Sequence, residues 1–221
     1  MPGLVIFDCD GVLVDSERIV VGIESEALTA AGFPLTMEDI ATSYVGLSDA
    51  AMYSQIAERF GRAVPPTLIE RIVSTALEAL EARVTAVPGI AEVLEQLRHE
   101  EVTACVASSS PPGRISMSLR VAGLDQHLPP ERQFSAAQVE RGKPAPDLFL
   151  FAAAQMGAEP AACTVIEDSE HGITAALAAG MRAVGLTAVS LDPDGNAARL
   201  RQAGAHALAT AASELAGLLD P

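Results

Sequence analysis

Short apolar segments separated by helical patterns are the feature that most restricts how this chain can fold. In each segment the apolar, often β-branched residues follow one another directly; the segments are residues 4–7, 102–107, 164–166, 183–186 and, more weakly, 206–209. Such runs are typical of strands that are covered by helices on both faces of a sheet. Because apolar stripes at helical spacing lie between them, the chain predicts an α/β protein with a doubly wound, Rossmann-like parallel sheet.

Residues 16–84 interrupt this alternation. The segment has apolar residues at helical spacing but no convincing strand, and it falls between the first and second strands of the sheet. We therefore expect a small α-helical cap domain at 16–84, inserted into a core domain formed by 1–15 and 85–221. A segment that starts just past the carboxyl end of a strand lies over the edge where open α/β sheets bind ligands. The alternative is a helical bundle that packs elsewhere on the core.

Two aspartates come directly after the first strand. In an extended segment, side chains two residues apart point the same way, so Asp8 and Asp10 are expected to lean into the crevice at the strand end, where Gly11 lets the chain turn. Two ionised carboxylates this close repel each other and call for a cation. A hard cation such as Mg²⁺ prefers oxygen ligands of this kind. Taken alone, the Asp-Gly pair is also a common turn signal.

Complementary groups follow the other predicted strands. Ser108 and Ser109 end the second strand, where hydroxyl and amide groups can bind a phosphate oxygen. Glu167 and Asp168 end the third, and Lys143 lies between these two strands in a loop stiffened by prolines. Each motif alone has an ordinary structural interpretation, as a helix start or as a solvated charge. Their order along the chain, each at a strand end, favours one shared site.

Together these motifs resemble those of the haloacid dehalogenase superfamily of phosphohydrolases. The resemblance narrows to the branch with a helical cap after the first motif, which holds β-phosphoglucomutase and many small-metabolite phosphatases. It extends over the whole chain and rests on Asp8-Cys9-Asp10-Gly11-Val12-Leu13-Val14-Asp15-Ser16-Glu17, Ser108, Gly142-Lys143-Pro144, Glu167-Asp168-Ser169 and Gly172-Ile173.

The resemblance implies a role for each motif. Asp8 would be the nucleophile that forms an aspartyl-phosphate, and Asp10 would be the general acid/base. Lys143 would bridge Asp8 and the phosphoryl oxygens. Ser108, with the amide of Ser109, would hold another phosphoryl oxygen.

A magnesium site is implied by the same resemblance. Its ligands would be the carboxylate of Asp8, the backbone carbonyl of Asp10 and the side chain of Asp168. Glu167 would be either a ligand or the holder of a metal-bound water. The expected cofactor is therefore Mg²⁺.

The cap is expected to contact the leaving group of the substrate. The candidates are Glu17, Tyr44, Leu47 and Ser48, although apolar and aromatic cap residues more often serve in packing.

The function expected from the resemblance is Mg²⁺-dependent hydrolysis of a small phosphorylated metabolite, a sugar phosphate or a phosphorylated acid. The alternative is a β-phosphoglucomutase-like mutase. Val20 occupies the position of the histidine that such mutases use, and Asp49 replaces their phosphate-gripping arginine, so hydrolysis is favoured. A protein that keeps the fold without turnover is a further alternative, but such descendants usually lose a nucleophile or metal ligand, and here every motif is intact.

Composition restricts the partners and the compartment. The net charge of −15 argues against binding to nucleic acid or to an anionic membrane surface. Three cysteines are too few for a disulfide scaffold, and no basic segment with a cleavage site precedes the first strand, so no signal peptide is expected. These features predict a cytoplasmic protein, with a monomer as the default, whose partner is a small metabolite.

Overall fold

Six strands pair in parallel to form the central sheet. A computed structural model describes residues 2–44 and 49–219, with only the backbone described at 49 and 50. The strands are β1 (Leu4–Phe7), β2 (Val14–Asp15), β3 (Thr85–Ala86), β4 (Thr103–Ser108), β5 (Gln133–Ser135), β6 (Cys163–Glu167), β7 (Arg182–Leu186) and β8 (Ala207–Ala209). The order in the sheet is β5-β4-β1-β6-β7-β8, whereas β2 and β3 form a separate antiparallel pair. The predicted α/β class with a parallel sheet is confirmed.

Helices connect the strands of the sheet and fill the interval between β2 and β3. They are α1 (Glu17–Ala30), α2 (Met37–Ser43), α3 (Asp49–Phe60), α4 (Pro66–Arg83), α5 (Ile90–His99), α6 (Pro112–Val121), α7 (Asp147–Gln155), α8 (Glu170–Ala178), α9 (Pro193–Gln202) and α10 (Leu215–Leu219). Within the described residues, no helix combines the length and the apolar character needed to cross a bilayer.

Strand β1 lies in the middle of the sheet and is buried on both faces. Val5 and Phe7 belong to one hydrophobic cluster, whereas Leu4 and Ile6 belong to another. Since successive strand residues point to opposite faces, each cluster is the core on one side of the sheet. The neighbours of β1 are β4 on one side and β6 on the other. The order in which successive strands are added to the sheet therefore reverses at β1. Open α/β sheets bind ligands at such a point.

Helices α1 to α4 share a third hydrophobic cluster, which includes Leu28, Phe33, Ile56 and Ile72. The chain leaves and re-enters the core at the β2–β3 pair, in which Val14 pairs with Ala86. A separate cluster behind a short two-stranded connection supports the proposed division into a cap at 16–84 and a core at 1–15 and 85–221.

Candidate active site

The carboxyl ends of three neighbouring strands bring the predicted motifs together. Asp8 directly follows β1, Ser108 is the last residue of β4, and Glu167 is the last residue of β6. Phe7 pairs with Val106 in β4 and with Ile166 in β6. The parallel register therefore ends all three strands at the same level, and the polar residues that follow share one edge.

Lys143 reaches this edge from the loop before α7. Its Nζ donates hydrogen bonds to Oδ1 of Asp8 at 2.6 Å, to Oε1 of Glu167 at 2.6 Å and to the backbone oxygen of Ala107 at 3.1 Å. The side chain is only 5% exposed. Burial alone lowers the pKa of Lys143, but the two carboxylates outweigh it and raise the pKa above its ordinary value. Lys143 is therefore a fixed positive charge between the strand ends.

Glu167 is fully buried, and both of its carboxylate oxygens accept hydrogen bonds. Oε1 accepts from Lys143, and Oε2 accepts from the amides of Asp168 at 3.1 Å and Ser169 at 3.0 Å and from the hydroxyl of Ser169 at 2.9 Å. A Cβ at Gly172 would lie 1.9 Å from Oε1 of Glu167, so a larger residue there would displace this carboxylate. Glu167 therefore orients the ammonium group of Lys143 and the main chain at Asp168 and Ser169.

Three acidic side chains form a group that could hold a metal ion. Asp8, Glu167 and Asp168 each offer an oxygen, and these oxygens lie within 4.8 Å of one another. Burial raises the pKa of Asp8 to about 7 despite Lys143, and burial raises the pKa of Asp168 well above its usual value. A bound divalent cation would offset this cost of ionising both carboxylates, and oxygen ligands suit a hard cation. The donor set thus fits a divalent metal.

The carboxylate of Asp10 is held by three donors. Oδ1 accepts from Oγ of Ser16 at 2.6 Å and from Nη2 of Arg114 at 2.9 Å, and Oδ2 accepts from Oγ of Ser110 at 2.7 Å. Burial alone would raise the pKa of Asp10, but the charge of Arg114 and the three hydrogen bonds outweigh it and lower the pKa. Ser16 belongs to the first motif, although the sequence assigned it no contact with Asp10. Ser110 and Arg114 were missed, because nothing local to them signals a contact with a residue about 100 positions away.

A cavity of about 740 Å³ lies between this edge of the sheet and the cap helices. The core contributes Asp8, Asp10, Ser108, Ser109, Lys143, Glu167 and Asp168 to its lining, and the cap contributes residues that include Glu17, Val20 and Tyr44. A ligand site of this size accommodates a small metabolite. Since residues of 16–84 and of the core line one cavity, the geometry supports a cap over the site rather than a helical bundle packed elsewhere.

The predicted cap contacts have different outcomes. Glu17 and Tyr44 line the cavity, although Tyr44 is only 5% exposed and also packs in the hydrophobic cluster of the cap. Leu47 and Ser48 lie outside the described residues. Burial raises the pKa of Glu17, and a hydrogen bond with the backbone of Leu191, in the loop before α9, only partly offsets this effect.

Helix α9 contributes a residue that the sequence reading missed. Nδ2 of Asn196 donates a hydrogen bond to the backbone oxygen of Asp168 at 2.9 Å, and Asn196 is itself buried. Asp192 caps the same helix by accepting from the amide of Gly195 at 3.1 Å. The sequence around Asn196 gives no sign of this contact, because Asp168 lies 28 positions earlier in the chain.

Comparison with known families decides the classification of this arrangement. Residues 5–186 match the model of the haloacid dehalogenase-like hydrolases. The chain belongs to this family. The match begins in β1 and ends with β7, so it contains Asp8, Lys143 and the acidic group. The resemblance expected from the sequence is confirmed.

Curated members of the family include a phosphatase of similar length. The Phosphorylated carbohydrates phosphatase of Thermotoga maritima is 30% identical over 217 residues, which cover 92% of this chain and 92% of that protein. Protein SUPPRESSOR OF QUENCHING 1, chloroplastic, from Arabidopsis thaliana is 30% identical over 184 residues, or 81% of this chain, but the chain spans only 17% of that protein's length.

Solved structures of family members share the fold over the full chain. A haloacid dehalogenase-like protein of unknown function from Agrobacterium tumefaciens is 35% identical, with a TM-score of 0.90 and coverage of 99% of this chain and 98% of that one. A hydrolase of the family from Deinococcus radiodurans, whose crystal structure contains bound phosphate and sodium, is 38% identical with a TM-score of 0.84 and the same coverage.

Proposed function

We propose that this chain is a Mg²⁺-dependent phosphatase that hydrolyses a small phosphorylated metabolite, a sugar phosphate or a phosphorylated acid, through an aspartyl-phosphate on Asp8. The observation that carries the proposal is the contact of Lys143 with both Asp8 and Glu167 at 2.6 Å, beside an acidic group suited to a metal. The relative from Thermotoga maritima is named as a phosphatase of phosphorylated carbohydrates, which supports a sugar phosphate as substrate. The bound phosphate in the Deinococcus radiodurans structure supports a site for the phosphoryl group.

Asp8 is the proposed nucleophile. A carboxylate oxygen of Asp8 attacks phosphorus, the phosphorus–oxygen ester bond breaks, and the leaving oxygen takes a proton from the carboxyl group of Asp10. In the second step a water gives a proton to Asp10 and attacks the phosphorus of the aspartyl-phosphate. The bond from phosphorus to Asp8 breaks, which releases inorganic phosphate and restores both aspartates.

Positive charge and hydrogen-bond donors are needed because the phosphate dianion and Asp8 repel each other. Lys143 supplies a cation that is already in contact with Asp8. Ser108 is buried, and its Oγ accepts from the amide of Ser110 at 3.1 Å, which leaves the hydroxyl hydrogen of Ser108 to donate to a phosphoryl oxygen. Ser109 lines the cavity beside it, where its amide would bind another oxygen.

The proposed metal ligands are Asp8, Asp168 and the backbone carbonyl of Asp10. The chemistry that Mg²⁺ supplies when bound is neutralisation of charge on the phosphate and on Asp8. Both oxygens of Glu167 are already hydrogen-bonded, so we propose that Glu167 supports Lys143 and the backbone of Asp168 rather than binding the metal directly.

Hydrolysis is favoured over transfer to a second sugar. Val20 lines the cavity at the position where β-phosphoglucomutases have a histidine, and an aliphatic side chain offers a second sugar no hydrogen bond. The side chain of Asp49, which replaces the arginine of those mutases, lies outside the described residues. A phosphoryl group on Asp8 would therefore pass to water.

The experiment is phosphate release from a panel of sugar phosphates with Mg²⁺, repeated after EDTA and with the Asp8→Asn variant. We expect release by the native chain, loss with EDTA and loss in the variant. Asp125→Asn is the matched control, because Asp125 is an exposed aspartate outside the cavity lining, and this variant should keep full activity. Undiminished release by Asp8→Asn, or no release by the native chain, contradicts the proposal.

A further inference from the structure

Arg114 is a cavity-lining cation outside the motifs that the sequence singled out. It lies in the first turn of α6, and its Nη2 donates to Oδ1 of Asp10 at 2.9 Å. The two side chains are 31% and 29% exposed, so the pair is partly screened from solvent and is more than a contact between two freely hydrated charges.

Its position in α6 is electrostatically unfavourable for the helix. The positive end of a helix dipole lies at the N-terminus, where cations are disfavoured and anions are favoured. Arg120, in the last turn of the same helix, occupies the end where a cation is favoured and is 65% exposed. Arg120 can therefore stabilise α6, whereas Arg114 cannot. The role of Arg114 is better explained by its contact with Asp10.

The contact complements the other two donors of Asp10. Ser16 and Ser110 donate through hydroxyl groups that can rotate, whereas the guanidinium is planar and permanently charged. Arg114 is anchored close to the bond it makes, since its own amide donates to the backbone oxygen of Pro111 at 3.0 Å and the adjacent Ile115 is buried in the core. The Nε of Arg114 is buried and has no hydrogen-bond partner among the described residues, so Nη2 carries the link to Asp10.

We propose that Arg114 is a positioning residue, which fixes the carboxyl group of Asp10 in the orientation from which it transfers a proton to the leaving oxygen. The inference rests on the proposed function, because it assigns Arg114 to a step in which Asp10 acts as general acid. A proton donor must stay within hydrogen-bond reach of the leaving oxygen, and misplacement by about 1 Å can cost about 100-fold in rate. Without Arg114, only the two rotatable hydroxyls would hold Asp10. The charge of Arg114 also lowers the pKa of Asp10, which favours the ionised form but makes the protonated carboxyl a stronger acid. The role of Arg114 is therefore to orient Asp10, not to keep it protonated.

The test uses the leaving group as its readout. The value of kcat/KM reports the steps up to release of the leaving group. A sugar alkoxide is a strong base and needs a proton from the enzyme as it leaves, whereas p-nitrophenolate is a weak base and does not. We would measure kcat/KM for p-nitrophenyl phosphate and for the best substrate among glucose 6-phosphate, sorbitol 6-phosphate and glycerol 1-phosphate. The variants are Arg114→Gln, Arg114→Lys, Asp10→Asn as reference and Arg120→Gln as the matched control.

For Arg114→Gln we expect kcat/KM on the alkyl phosphate to fall about 10- to 100-fold, within the range of general acid catalysis, and to change less than about 3-fold on p-nitrophenyl phosphate. Asp10→Asn should show the same split with a larger loss. Arg114→Lys, which keeps a cation, should recover part of the alkyl rate, and Arg120→Gln should leave both rates unchanged.

An equal fall on both substrates, or no fall on either, would overturn the inference. Thermal unfolding of each variant identifies a folding defect, and if Arg114→Gln is unfolded, the same split must appear in Arg114→Lys. Failure of the proposed function is distinguishable. In that case the native chain turns over none of the phosphates, or Asp10→Asn loses both kinds of substrate equally.

Discussion

Lys143 and Glu167 form a buried ion pair, with Nζ 2.6 Å from Oε1 and exposures of 5% and 1% for the two side chains. The same Nζ lies 2.6 Å from Oδ1 of Asp8. One ammonium group therefore serves two carboxylates from neighbouring strands. Removing one partner of a buried pair leaves an uncompensated charge, which is costlier than losing an exposed ion pair.

Lys143→Met should lower the free energy of unfolding by about 3–5 kcal/mol, because two buried carboxylates lose their cation. Activity should also be lost. Arg141→Met is the matched control from the same loop, since Arg141 is 67% exposed where it pairs with Asp147, and its removal should cost less than about 1 kcal/mol. Urea unfolding of both variants checks the difference, and equal losses would contradict a structural role for the buried pair.

Gly11→Ala should abolish metal-dependent activity. Gly11 has a φ of +77°, and a Cβ there would lie 1.9 Å from Oδ2 of Asp168. Gly61→Ala is the control, because Gly61 has a φ of +65° but no atom within 4 Å of the added Cβ. Both variants carry the strain of a left-handed residue, about 1–2 kcal/mol, but only Gly11→Ala should lose turnover. Equal activity in the two variants would show that the approach of Gly11 to Asp168 is unimportant.

Asn196→Ala should weaken Mg²⁺ binding about 10- to 100-fold, as removal of groups that orient metal ligands commonly does. The side chain holds the backbone oxygen of Asp168, so its loss frees the main chain next to a proposed ligand. Isothermal titration with Mg²⁺ measures the affinity without reference to activity. Gln202→Ala, at an exposed position of the same helix, should bind Mg²⁺ as the native chain does. An unchanged affinity in Asn196→Ala would remove it from the metal site.

With β-glucose 1-phosphate and a trace of glucose 1,6-bisphosphate, the chain should release inorganic phosphate and form no glucose 6-phosphate. The reason is Val20 in the cavity wall, an aliphatic residue at the position where the mutases have a histidine, which offers a second sugar no hydrogen bond. Phosphorus NMR of the reaction separates the two products. Glucose 6-phosphate as the main product would favour the mutase over the phosphatase.

The core sheet could be predicted from sequence because burial on both faces leaves continuous apolar runs. Strand β1 matches residues 4–7 as expected, and β6 and β7 differ from their predicted ranges by one or two residues. Strand β5 was missed, since its three residues, Gln133–Ser135, carry polar groups at both ends and pair only with β4.

Asp8, Ser108, Glu167 and Asp168 could be predicted because each lies at or just past the carboxyl end of a strand, and parallel strands end at one edge. Lys143 could be predicted only from its motif, since it lies in the loop before α7. Their partners could not. Arg114 and Ser110 reach Asp10 across about 100 residues of chain, with separations of 104 and 100 positions, and Asn196 reaches Asp168 from α9. Such contacts depend on how the helices pack on the sheet. The sequence near these residues shows no pattern that predicts this packing.

The most direct measurement of the central claim is acid quenching during turnover of a good sugar phosphate with Mg²⁺, followed by peptide mass spectrometry. The account predicts one phosphoryl group on the peptide that contains Asp8, absent in Asp8→Asn and lost again as hydrolysis completes. A phosphoryl group on another residue, or steady turnover with no covalent phosphate at any quench time, would contradict it.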